Sequence, residues 1–199
     1  MIIFLVEDYS MRKFLEGILP RLDFKNHEFD IKHHQGKEDL ISNLDKIIPT
    51  LSKRAQQIIV IIDQDKQDCT ELKNKIKVKM AWCFCEYKIR IACYELESWF
   101  LGDMEAIAKC STKFKASFFQ GKEKYRDIDS IHKPSSVIEE IVPDWKDTYL
   151  SKPKFAEKMA KFISLDARNT KKANRSHSFR VFLEMLLLVK LTEDDVRPF

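Results

Sequence analysis

The stretches Ile2-Ile3-Phe4-Leu5-Val6-Glu7 and Ile58-Ile59-Val60-Ile61-Ile62-Asp63-Gln64-Asp65 decide how this chain is read. Each is a short apolar run, mostly β-branched, closed by acid. Such runs read as strands covered on both faces, the habit of a parallel sheet. Ligands of open parallel sheets gather outside the carboxyl ends of the strands, so both acidic signals fall on one rim. Hard divalent cations such as Mg2+ or Mn2+ take carboxylate oxygens. Glu7, Asp63 and Asp65 are therefore the candidate ion-binding carboxylates. Asp63 and Asp65 are two apart, which keeps them on one side of a continuing strand and within one ion's reach in a turn. The competing reading is solvated loop acids or helix caps, since Asp favours the position before a helix.

Working outward, the pattern alternates strand and helix. Ser10 is the expected cap of a helix over Met11 to Leu19, with Phe14, Leu15, Ile18 and Leu19 at helical spacing and Pro20 as its stop. Glu28 to His34 alternates apolar with polar, as a half-exposed strand does. Gly36 opens the next unit, whose stripe Leu40, Ile41, Leu44, Ile47 and Ile48 is expected to stop near Pro49. Cys69 to Lys79 reads as a short basic helix. A fourth strand over Ile89 to Tyr94 delivers Glu95 and Glu97 to the same rim, and a helix follows through Trp99, Phe100 and Leu101. The result is an α/β fold with a mainly parallel four-stranded sheet flanked by helices. Beyond Gly102 the pattern is helical. Gly121 to Lys133 reads as a loop or short helix, and Ser178 to Leu191 as a helix that packs Phe179, Phe182, Leu183, Leu186 and Leu187 on the core. Residues 1–110 form the expected catalytic core and 111–199 a helical extension packed on it.

Composition narrows the class. A chain of 199 residues with 44% apolar content and 14 Phe buries a proper core. Its five cysteines are odd in number and lack framework spacing, so they are expected to be reduced core thiols in a cytoplasmic protein. No run is long enough to span a membrane. The net charge is +4, but Ser151 to Arg180 holds nine basic residues against Glu157 and Asp166. That segment is +7 and the remainder −3, so an acidic rim is followed by a basic lobe, a division suited to a phosphodiester. With only Gly17, Gly36, Gly102 and Gly121 there is no glycine-rich phosphate loop, which argues against a nucleotide-binding enzyme. A receiver-type flavodoxin-like reading would leave Glu7 and the basic lobe without a task.

Glu7 and Asp63-x-Asp65 match the two signature motifs of the Toprim superfamily, the catalytic fold of topoisomerases, primases and the overcoming-lysogenisation-defect nucleases. The chain also resembles a bacterial family of small stand-alone Toprim-like proteins. The residues that carry this are Val6-Glu7-Asp8, His34 to Leu40, Asp63-Gln64-Asp65 with Asp68-Cys69 and Leu72-Lys73, Tyr94 to Asp103, Tyr149-x-x-Lys152, and Arg175-Ser176-x-Ser178-Phe179. The resemblance implies a Mg2+- or Mn2+-dependent nuclease. It also implies an effector in anti-phage defence, regulated by an ABC-type ATPase partner. Asp63 and Asp65 then hold the ion, and Glu7 binds it or exchanges protons; Glu97 is the next ligand expected. Lys152, through Tyr-x-x-Lys, is expected to stabilise charge on the phosphate. Arg175 and Arg180 are expected to grip flanking phosphates. His34, with His33 and Lys37, is expected to line the mouth. The chain departs from its relatives at Met11, where a second acid is common, which weakens a second metal position. A Toprim-like adaptor or sensor without hydrolysis, or a phosphatase or nucleotidyl transferase, are the alternative readings. DNA, RNA or transfer RNA as substrate, and homo-oligomer formation, are left open by the sequence.

Overall fold

The computed structural model describes residues 1–143, 145, 151–167 and 174–195, with side chains to residue 191. Four strands, β1 (Ile2–Val6), β2 (Phe29–His33), β3 (Gln57–Asp63) and β4 (Glu86–Ala92), form one sheet in the order β2-β1-β3-β4. Every pairing is parallel. β1 and β3 are central, which is why every residue of β1 is buried and β3 stays buried until Asp63. Alternate residues feed two cores. Phe4, Val6, Ile59 and Ile61 face one of them, and Ile3, Leu5, Ile58, Val60 and Ile62 the other. Each such side chain contributes about 1.5–3 kcal/mol on burial.

Helices α2 (Lys37–Leu51) and α3 (Cys69–Lys79) cover the second core. The first is covered by α1 (Tyr9–Ile18), α4 (Glu97–Leu101), α5 (Met104–Cys110), α7 (Pro134–Ile141), α8 (Lys152–Phe162) and α9 (His177–Asp195), with the short α6 (Ser117–Gln120) beside them. The closest helix pair is α1 against α8, where Gly17 lets the backbones approach: a Cβ at Gly17 would lie 2.5 Å from that of Ala160. Arg21 reinforces the pair by donating to the carbonyls of Ala160 and Ile163 at the end of α8. The helical extension therefore shares its core with the sheet. α9 contributes Phe179, Phe182, Leu183, Met185 and Leu186 to it, and its Lys190 pairs with Glu28 before β2 at 3.0 Å.

Several local expectations change. The cap of α1 is Asp8, whose Oδ1 accepts the Met11 N–H at 2.8 Å; Ser10 is already helical and buried. α2 runs through Pro49 to Leu51, forfeiting only the bond that a residue 49 N–H would donate to the Asp45 carbonyl. β4 begins at Glu86 and ends at Ala92, earlier at both ends than expected, since pairing with β3 fixes its length. On α9, Met185 takes the buried place expected of Leu187, which is only half-buried. Of the cysteines only Cys110 is fully buried; all five are free thiols, the other four half-buried.

Candidate active site

The carboxyl ends of the strands are stitched into one rim. Glu7 follows β1, and its Oε2 accepts the backbone N–H of Asp63 at the end of β3, 3.0 Å away. The loop after β2 is held to β1 by His34 N–H to the Val6 carbonyl at 3.1 Å and Gly36 N–H to the Glu7 carbonyl at 3.0 Å. Beyond β3, the Gln64 N–H donates to the Ala92 carbonyl at 2.9 Å and the Asp65 N–H to Tyr94 at 2.7 Å. Asp65 and Tyr94 are both left-handed, with φ of 52° and 57°. Non-glycine residues hold that conformation at a cost, and such residues collect at functional sites. Two facing turns thus share one strained, hydrogen-bonded junction.

The electrostatics single out Asp63. Its Oδ1 is shut off from solvent and has no hydrogen-bond partner among the described residues. Burial pushes its carboxyl well above the usual carboxylate range, and the negative charges of Glu7 and Glu97 push it further. Burial also raises Glu7, partly offset by the Asp63 N–H and by Lys37. Glu97, buried in the first turn of α4, is raised by burial and only partly relieved by Lys152. Lys152 opens α8 and brings its Nζ to 3.3 Å from Glu97 Oε1. Burial works against its charge, but Glu97, Glu95 and Asp63 outweigh this and hold the ammonium above its ordinary range. A buried carboxylate oxygen without a partner, among like charges, requires a proton or a cation.

The structure brings some expected residues together and separates others. Glu7, Asp63, Glu97 and Lys152 converge. Asp65 is exposed and ion-paired with Lys37, whose side chain is buried, while its negative charge still acts on Asp63 and Glu7. Lys37 is thus a counter-charge to Asp65, a role its position after Gly36 did not show. Among the described residues, no three His, Cys, Asp or Glu side chains form a metal-binding cluster. Glu95 accepts the Ser135 N–H at 2.8 Å. Asp103 caps α5 through Ala106 N–H and also accepts from Ser164 N–H, so its carboxylate is structural. His34 Nδ1 lies 3.2 Å from the Val6 carbonyl, beside the rim. Met11 is buried in the core.

The arginines are placed differently from the expectation. The Arg175 guanidinium bonds the carbonyls of Gln120, Tyr125 and Arg126, and Arg180 bonds that of Asn174 at 2.8 Å. Both clamp backbone, and neither contacts the rim carboxylates. The serines of the same motif anchor α9. Ser176 Oγ donates to Asp129 at 2.7 Å, while Ser178 Oγ accepts from the buried Trp99 Nε1 at 3.0 Å. Asp129 went unnoticed in the sequence because nothing local distinguishes it from the other acids of that polar segment. Tyr149, Arg168, Lys171 and Lys172 lie outside the described residues. Among the described residues no helix is long and apolar enough to cross a membrane.

The fold is similar to the solved C-terminal region of the Burkholderia pseudomallei OLD protein, with a TM-score of 0.51 and 15% identity over 92% of this chain and 98% of that one. At that identity the likeness is one of fold. No curated protein matches the chain in sequence. Residues 6–187 match the family described as a domain of unknown function, DUF4276, and the chain belongs to that family.

Proposed function

We propose that the protein is a divalent-metal-dependent nuclease that hydrolyses phosphodiester bonds in DNA or RNA. One observation carries this reading: the covered, unpartnered Oδ1 of Asp63, with Glu7 and Glu97 as its acidic neighbours. The donor set is all carboxylate oxygen, which suits Mg2+ or Mn2+ and not a soft metal. Asp63, Glu7 and Glu97 would hold the ion, joined by Asp65 if it leaves Lys37. When bound, the ion supplies Lewis acidity and a water of lowered pKa. Lys152 presents its ammonium to the phosphate and stabilises the charge that develops on its oxygens. Glu7, fixed by the Asp63 N–H, is placed to exchange a proton with the attacking water. The likeness to the OLD C-terminal region and the Toprim-like order of Glu7 and Asp63-x-Asp65 support the same reading. A place in anti-phage defence beside an ABC-type ATPase is proposed from the motif resemblance alone.

The test is cleavage of single- and double-stranded DNA and RNA by purified protein with Mg2+ or Mn2+, alone and with any ATPase encoded beside it. Loss of cleavage in Asp63→Ala is expected; equal cleavage by wild type and variant refutes the assignment. A second reading, an adaptor that keeps the shell without hydrolysis, is favoured by the buried Met11 and by the Lys37–Asp65 pair. Such an adaptor need not bind a divalent ion at Asp63 and Asp65, so metal titration separates the two readings.

A further inference from the structure

β4 is an edge strand whose outer side faces no other strand among the described residues. Its backbone orientation can be read from its contacts. The Ala92 carbonyl bonds Gln64 on the β3 side, so the even residues 86, 88, 90 and 92 turn their N–H and C=O toward β3. The odd residues Tyr87, Ile89 and Ile91 turn theirs outward, and the Ile89 carbonyl is met there by the Arg90 guanidinium at 3.1 Å. Side chains alternate as well. Cys83, Cys85, Tyr87, Ile89 and Ile91 pack on the α2–α3 core, with the two sulfurs 3.7 Å apart. Glu86, Lys88 and Arg90 instead line a groove of about 320 Å³ against Val181, Glu184, Met185 and Leu188 of α9. Trp82 and Phe84, in the turn and loop that lead into β4, are 67% and 66% exposed; Leu188 of the groove and Leu191 further along α9 are 65% and 57% exposed. The Arg90 Nε is buried and has no partner.

We propose that this edge pairs with β4 of a second copy of the chain, antiparallel about a two-fold axis through Tyr87, giving a continuous eight-stranded sheet. A two-fold axis normal to a sheet makes edge strands antiparallel, with directly opposed side chains on one face. Charge then selects the register. An axis at Lys88, Arg90 or Glu86 sets each of those residues against itself, and an axis at Ile89 sets Lys88 against Arg90. An axis at Cys85 pairs no charges. With the axis at Tyr87, Glu86 meets the partner's Lys88 and Lys88 meets its Glu86. The outward-facing Tyr87 groups exchange both hydrogen bonds, and Cys85 pairs with Ile89 in the same manner once the Arg90 guanidinium leaves the Ile89 carbonyl for the ring of the partner's Phe84. Phe84 of each copy comes opposite Arg90 of the other and enters the groove beside Met185 and Leu188, where an aromatic face meets a guanidinium.

The test is sedimentation velocity on the full chain at micromolar concentration. Wild type runs at twice the chain's 23.5 kDa. Lys88→Glu and Glu86→Lys, each checked for native circular dichroism, place like charges across the axis twice and weaken the dimer by roughly tenfold or more. An equimolar mixture of the two variants restores a dimer, because every crossed pair is then opposite in sign. The proposal is overturned if wild type is monomeric up to about 100 µM, a range in which a specific interface of ordinary strength is filled. It is equally overturned if the dimer survives both single variants, which would put the contact elsewhere, or if mixing them fails to restore it.

Discussion

Replacing Asp63 by Asn separates the cost of the site from its use. In the metal-free protein the Asp63 Oδ1 is covered and unpartnered, and Glu7 and Glu97 add repulsion. An unpartnered buried group costs about 1–3 kcal/mol and a charged one more, so the charge itself adds an excess of the same order. A neutral amide of the same shape removes the charge. In a domain of this size each kcal/mol moves Tm by about 2–4 °C, so Asp63→Asn should melt about 2–12 °C above wild type in EDTA at pH 7.5. The sign of the pH dependence follows from the raised carboxyl. Below about pH 4 both folded and unfolded chains carry the proton and the advantage of the variant vanishes. As pH rises through the folded-state value, the unfolded chain has already released its proton and wild type loses stability, so the gap opens upward. Divalent ion reverses the order: at a hundredfold excess over Kd wild type gains about 2.7 kcal/mol, and the variant gains far less. Differential scanning fluorimetry across pH 4–8, with EDTA or Mn2+, reads all of this. A variant less stable than wild type in EDTA, or one stabilised by Mn2+ as strongly as wild type, refutes the reasoning.

Other outcomes follow from named contacts. Lys152→Gln should depress kcat by about 10²-fold or more with a small change in substrate affinity, measured by single-turnover kinetics; equal loss of both would place Lys152 in binding alone. Gly102→Ala should cost about 1–3 kcal/mol by urea denaturation, since a Cβ there meets the Asn174 side chain and lies 2.7 Å from the Ser176 nitrogen. Gly17→Ala should cost a similar amount, about 1–3 kcal/mol, and Ala160→Gly in the same chain should return most of it. Ser178→Ala leaves the buried Trp99 N–H without its acceptor and should lower stability by about 1–3 kcal/mol, visible as a lower urea midpoint.

The sequence by itself determined the strands β1 and β3 and the rim positions of Glu7 and Asp63, because runs of apolar residues covered on both faces leave a local, period-independent mark. It also located α3 residue for residue as a short basic helix, and the structure adds its Asp68 cap. Tertiary structure alone decided which charges meet. Lys37 reaches Asp65 across 28 residues and Lys152 reaches Glu97 across 55, and no local pattern encodes such partners. It spent the Arg175 and Arg180 guanidiniums on backbone carbonyls, left Asp63 Oδ1 without a partner, and exposed the edge of β4. The physical reason is common to all of these. Burial along a strand is set by near neighbours in the chain, whereas the partner of a polar atom is set by whichever distant segment the packing of the core carries to it.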